Sequence, residues 1–423
     1  MNWNNITTWF SLYYKNLLLL IGPELIITPL AFKYANTYYG TVLIIIAIAI
    51  SFLTVWLTYK LNLKAQFDSI YEIAWRFGGN SLRTFTKVIQ LVYNLVQVSI
   101  YLTIIAALME FLLNNARNSD EGVLLTSNAF LKVIIHIIVF FLSIFSFSSI
   151  VSKISIQSRA FTLVTYLLLF ISSLAHFIHF KSMDNEQKDQ IEHELNNPNY
   201  TFGDGFSIFP YFICIFATHN CLPLVSPSVN AKPSIKFTAL LGALSTIGIY
   251  AILYGAFVFN TLYSQTHAIP ILFYPDVFYD KSNILFTMDI IVCCCFIVTF
   301  LMSIPSVFTF MHDLIEEHFF SEWQPSLIRR AIICFIFTSI AGMLSAFFWM
   351  DDIQIAFNGA FCGVILIYFI PGIVSFVYGG RIKYVSIFIM IFGVIWFAIG
   401  IVYVTLSFIL GVSDSIANAV NAN

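Results

Sequence analysis

Charge is what this 423-residue chain has least of: Asp, Glu, Lys and Arg make up 10% of it, and the formal net charge is −2. A near-neutral balance of that kind excludes a nucleic-acid surface. The sequence also has no phosphate-binding glycine loop, no Cys-x-x-Cys pair and no His-Glu-x-x-His helix, which removes three common signatures of enzymatic chemistry. Its seven cysteines, Cys214, Cys221, Cys293, Cys294, Cys295, Cys334 and Cys362, all lie in apolar segments, so no extracellular disulfide framework and no metal set is expected. The run Cys293 to Cys295 faces three directions on a helix and reads as packing.

What the chain has instead is apolar surface. Hydrophobic residues reach 59%, with 45 Phe and a mean hydropathy of +0.86, so the expected class is an all-α integral membrane protein whose main solvent is lipid. The first apolar run follows a single Lys15, lacks a small-residue cleavage site and is followed by many more, so it reads as retained. Segments long enough to span fall at about 14–34, 41–59, 84–113, 130–151, 159–180, 208–228, 237–260, 284–311, 328–349, 353–377 and 385–411, eleven in all. A cytoplasmic N-terminus puts Lys15, Lys60, Lys64, Arg76, Arg83, Lys87, Lys153, Arg159, Lys232, Lys236, Arg329, Arg330, Arg381 and Lys383 inside. Lys33, Arg117, Lys132, Lys181, Lys188 and Lys281 fall outside, and fourteen against six is a positive-inside bias. The organisation expected is a short cytoplasmic N-terminus (1–13), a transporter domain (14–411) and a C-terminal tail (412–423). The acidic loop 181–207 is external and carries the sequon Asn199-Tyr200-Thr201. In the first cytoplasmic loop, a short interfacial helix is expected to stop at Gly78-Gly79.

Two spans are interrupted. Asn16 to Lys33 carries Gly22, Pro23, Glu24 and Pro29, and glycine with proline breaks the backbone ladder. Hydrocarbon cannot satisfy the freed carbonyls and N–H groups, so they must face a protein-lined cavity. A carboxylate at mid-span costs at least about 2.5–3.5 kcal/mol, which makes Glu24 a functional candidate, a proline kink with a protonated or snorkelling acid being the alternative. The sixth span is broken by Pro210, Thr218-His219-Asn220, Pro223 and Pro227. A broken span thus opens each set of five, and five being odd, the sets enter the bilayer from opposite faces: repeat one at 14–180, repeat two at 208–377, and an extra helix at 385–411.

Polar residues inside the spans complete the candidate list. Gln90, Asn94, Gln97 and Tyr101 recur at i, i+4, i+7 and i+11 on one helix side, either lining a substrate path or gluing helices together. Thr299 and Ser303, before Pro305, could ligate Na⁺ together with freed carbonyls of the first span, or simply bond back to their own helix. His219, in the second break, can relay a proton or donate to a carboxylate. Asp289 and Glu110 are acids near outer span ends, while His136, His176 and His179 read as helix-end residues.

The order of these motifs resembles the amino acid/auxin permease family, within the amino acid, polyamine and organocation transporters. Gly22 through Pro29 is similar to its first-span break, and Phe216-Ala217-Thr218-His219 leading to Pro223 to its sixth-span motif. Tyr71-Glu72 with Phe77-Gly78-Gly79, Tyr254 to Phe259 with Ile269 to Leu272, Ile304 to Phe308 and Ile370 to Ile373 resemble further signatures. Glu24 stands where the family has its second glycine, Pro23 removes an N–H, and the His219-to-Pro223 interval is one residue short. The resemblance implies a LeuT-like fold with 5+5 inverted repeats and secondary transport of amino acids driven by H⁺ or Na⁺. The expected substrate site is Gly22, Pro23, Glu24 and Phe216, Ala217, Thr218, His219, Asn220, faced by Asn94, Gln97 and Tyr101, with Glu24, Thr299 and Ser303 coupling the ion. No cofactor and no partner beyond the amino acid, the coupling ion and lipid is expected. The chain is expected to work as a monomer, in a plasma or vacuole-like membrane. A sensor with little transport is the nearest alternative. An intramembrane acyltransferase using His219 and Asn220 is the enzymatic one, disfavoured because the two residues are adjacent.

Overall fold

A computed structural model describes residues 3–65, 69–116, 128–144, 149–183, 209–262, 284–324, 326–347 and 351–421. The acidic loop with its sequon and the Ile269 to Leu272 motif lie outside the described residues. Among the described residues there are helices and turns and no strand. This is what a chain in lipid must do, since a helix satisfies its own backbone. Among the described residues, eight helices are long and apolar enough to cross a membrane, and Phe130–Ile144 and Phe209–Val225 are shorter apolar ones.

The chain begins with α1 (Trp3–Leu20), a 3-10 turn (Pro23–Ile27) and α2 (Thr28–Ala65). Pro23 occupies the first turn after Gly22, where its missing N–H costs nothing. Helix α1 starts eleven residues before the apolar run at 14 does, and Tyr13 hydrogen-bonds Thr246 at 2.9 Å, so the segment 3–13 is docked on the protein. Helix α2 absorbs both the end of the first span and the whole second one. A Cβ at Gly40 would sit 3.3 Å from the Phe32 ring, although eight residues of straight helix are about 12 Å long, so the axis bends sharply between them.

Next come α3 (Ile70–Ala116), α4 (Asn128–Ile144) and α5 (Ser149–Ser182). In α3, Gly79 adopts φ 74°, a left-handed conformation open to glycine, and separates the interfacial turn 70–78 from the membrane-crossing part. The sixth segment is short pieces: α6 (Phe209–Ile215), a 3-10 turn (Thr218–Cys221) and α7 (Leu222–Val225). Helices α8 (Pro233–Leu262), α9 (Ile284–Phe319) and α10 (Leu327–Phe347) follow. Then α11 (Asp351–Phe357) runs through π-helical turns at Asn358–Gly363 and Ile365–Phe369 into α12 (Ile370–Tyr378). Gly379 and Gly380, both at positive φ, end it before α13 (Ile382–Asn421), which continues through residues 412–421.

Packing puts the two interrupted segments at the centre. Helix α8 lies against α1 and α2, α9 against α3 and α5, and the π-helical turns against α6. A Cβ at Gly359 would collide with the Pro210 carbonyl, and one at Gly400 with Ala360, so small residues set how closely these segments approach. The largest fully buried side chains, among them Phe32, Phe209, Phe212, Phe216, Phe296, Phe300 and Tyr254, fill the space around them.

Candidate functional site

The two breaks touch. Cys214 Sγ donates to Glu24 Oε1 at 3.7 Å, and Cys221 Sγ lies 3.9 Å from the Asn16 carbonyl. Between them and α3, α5 and α9 opens a cavity of about 350 Å³. Its wall includes Gly22 from the first break, His219, Asn220 and Pro223 from the second, and Thr299, Phe300 and Ser303 from α9. Gln90, Asn94, Gln97 and Tyr101 all line it, so the stripe expected from the spacing faces this space. The wall also holds Leu18, Leu19, Ile21, Thr162 and Ser306, and at one end Ser69, Ile70, Tyr71 and Phe310. Sequence reasoning missed these, although Tyr71 stood in a motif.

Four of the expected site residues stand behind the wall. Glu24, 3% exposed, turns its carboxyl to Cys214 on α6. Phe216, Ala217 and Thr218 are buried and line none of this cavity. Gly22 and His219 with Asn220 take the inward positions.

The first break keeps its freed carbonyls paired. Tyr166 Oη donates to the Gly22 carbonyl at 2.6 Å, Tyr254 Oη to Ile26 at 3.0 Å, and Thr28 Oγ1 back to Leu25 at 2.8 Å. A Cβ at residue 22 would meet the Glu24 carboxyl, so a larger residue there would have to displace that side chain. Of the hydroxyls that could hold a cation, Thr299 Oγ1 is 3.0 Å from Thr165 Oγ1, and Ser303 Oγ donates to the Thr299 carbonyl at 2.8 Å, bonding back to its own helix.

The second break is different. Ser51 Oγ closes the Phe216 carbonyl at 3.0 Å, but the His219 side chain, 6% exposed, has no hydrogen-bond partner at either ring nitrogen among the described residues. Its ring stands edge-on to Tyr93, centroids 4.9 Å apart, which fixes its orientation. The Gln90 side-chain carbonyl is likewise buried without a partner, whereas the Asn94 amide donates to the Gln90 backbone at 2.7 Å. An unsatisfied buried polar atom costs about 1–3 kcal/mol, so the residues of this wall carry polar groups that are costly to leave unpaired. Among the described residues no carboxylate, lysine or arginine lines the cavity, and no group of three His, Cys, Asp or Glu could hold a metal ion.

No family model and no curated protein matches this sequence. Solved structures do: three variants of a manganese transporter from Eremococcus coleocola each align over 95% of this chain and 96% of theirs, with TM-score 0.54 and 11% identity. At that identity the likeness is one of fold. The chain is therefore an all-helical, multi-pass membrane protein with the fold of a transporter.

Proposed function

We propose that this chain is a secondary transporter of amino acids, coupled to protons and working by alternating access, and that His219 is the centre of its substrate site. The observation that carries the reading is the neutral cavity of about 350 Å³ at the junction of two broken segments, walled by amides, hydroxyls and an unpaired imidazole. Such a wall suits a zwitterion, whose ammonium and carboxylate need acceptors and donors without a net charge on the protein. The matched manganese transporter invites a divalent cation as the alternative. A hard cation asks for carboxylate or carbonyl ligands, and the lining has no carboxylate while the first-break carbonyls are paired, so the amino acid is favoured.

Protons are preferred to Na⁺ for a similar reason. Glu24 sits buried beside the site, where its carboxyl can serve as a proton carrier, whereas no carboxylate among the described residues lines the cavity to balance a bound Na⁺. Counting the interrupted first span and the two shorter apolar helices with the eight long ones reaches eleven, the number that two inverted sets of five and one extra helix in the LeuT manner require. With the N-terminus cytoplasmic, the side of the cavity that holds Ser69, Tyr71 and Phe310 is the inner one. Uptake of labelled amino acids into liposomes, with imposed pH or Na⁺ gradients and with manganese as competitor, is the test. Flux that follows the pH gradient supports the proposal; manganese flux without amino acid flux overturns it.

A further inference from the structure

Outside the cavity, α5 and α9 share a second buried polar unit. Asp289 accepts a hydrogen bond from Ser172 Oγ at 2.5 Å on one carboxyl oxygen, and its other oxygen lies 2.7 Å from His176 Nε2. Asp289 is 0% and His176 1% exposed. The pair stands five residues into α9 and six residues from the end of α5, about 8–9 Å inside each helix end. The same two helices carry Thr299 and Thr162 of the cavity wall, Asp289 and Thr299 being ten residues, about 15 Å, apart. Along the seam between them, Tyr166 packs edge-on to Phe296 at 5.2 Å and holds the Gly22 carbonyl.

We infer that Asp289 and His176 form a second proton-binding site, distinct from the substrate cavity, that gains and loses one proton as the carrier changes face. This rests on the proton-coupled reading above. The pair is neutral when imidazole and carboxyl hold two protons between them, as imidazolium with carboxylate or imidazole with carboxylic acid. Releasing one proton to water leaves a net charge of −1, with a proton still in the Nε2 to Oδ2 bond and the Ser172 hydroxyl still donating. The unit therefore changes charge without losing a hydrogen bond. In hydrocarbon the charged state is costly, so the exchange belongs to a conformation in which water reaches the seam. A purely structural bond between these helices would need no ionisable partners.

Other titratable groups on the packed elements are His179 on α5, Cys293 on α9, Tyr250 on α8, Glu110 on α3 and His136 on α4. The test therefore compares variants. Asp289→Asn and His176→Gln keep size and polarity, and each is measured for accumulation driven by a pH gradient and for the infrared band of a protonated carboxyl as pH is varied. Expected are loss of one titrating carboxyl band and about tenfold less accumulation in Asp289→Asn, and a shifted pH profile in His176→Gln. Both variants keeping the wild-type accumulation, pH profile and band would overturn the inference. Should Asp289→Asn fail to fold, His176→Gln decides by the pH profile of the same band. Should the wild type show no proton-driven flux, the transport reading falls, and the band alone still decides whether Asp289 exchanges a proton.

Discussion

The two breaks meet at one cavity but treat their polar groups in opposite ways. At Gly22 to Ile27 the freed carbonyls are closed by Tyr166 and Tyr254, and the carboxyl of Glu24 is turned back onto Cys214. At Phe216 to Cys221 one carbonyl is closed by Ser51, but His219, a residue of the cavity wall, keeps two buried ring nitrogens without a partner among the described residues. One break has carbonyls closed by side chains from distant helices, and the other keeps a buried imidazole without a partner among the described residues. The lesson is that an interruption in a membrane helix does not by itself mark a ligand site; what matters is whether the released groups already have partners.

Substitutions can break or sharpen that contrast. His219→Phe keeps the ring against Tyr93 but removes both nitrogens, and should raise the KM for amino acid uptake by about tenfold or more while leaving the melting temperature nearly unchanged. Tyr166→Phe removes the hydroxyl donor from the Gly22 carbonyl, which keeps only the 3.4 Å bond from the Leu25 N–H, and should destabilise the protein by about 1–1.5 kcal/mol in a thermal melt, with the larger effect on stability than on affinity. Ser51→Ala does the same to the Phe216 carbonyl with a smaller group and should cost about 1 kcal/mol. Cys221→Ala removes only a 3.9 Å sulfur contact and should change the melt by less than about 0.5 kcal/mol. If Tyr166→Phe weakened binding more than His219→Phe, the two roles would be exchanged.

Where the breaks fall was legible in the sequence, because Gly22, Pro23 and the run from Thr218 to Pro223 act on their own backbone. So was the stripe from Gln90 to Tyr101, since spacing alone puts residues on one helix face, and so was the stop at Gly79. The direction of Glu24 was not, because it depends on Cys214, 190 residues away, and on the pitch of a 3-10 turn. The hydroxyl closures come from partners 144 and 228 positions distant, which no local pattern announces. His176 looked like a helix-end residue until Asp289, 113 positions on, was placed against it. The π-helical turns at 358–369 carry no proline, and the bend within α2 comes from packing around Phe32.

The most direct test of the central claim is thermal stabilisation of the purified wild-type protein by each of a panel of amino acids and by Mn²⁺, repeated with His219→Phe. At a hundred times the dissociation constant, a ligand of the native state adds about 2.7 kcal/mol, a shift easily read in a melt. At least one amino acid should stabilise the wild type and fail to stabilise the variant. Stabilisation by Mn²⁺ alone, or the same amino acid shift in both proteins, would contradict a zwitterion site centred on His219.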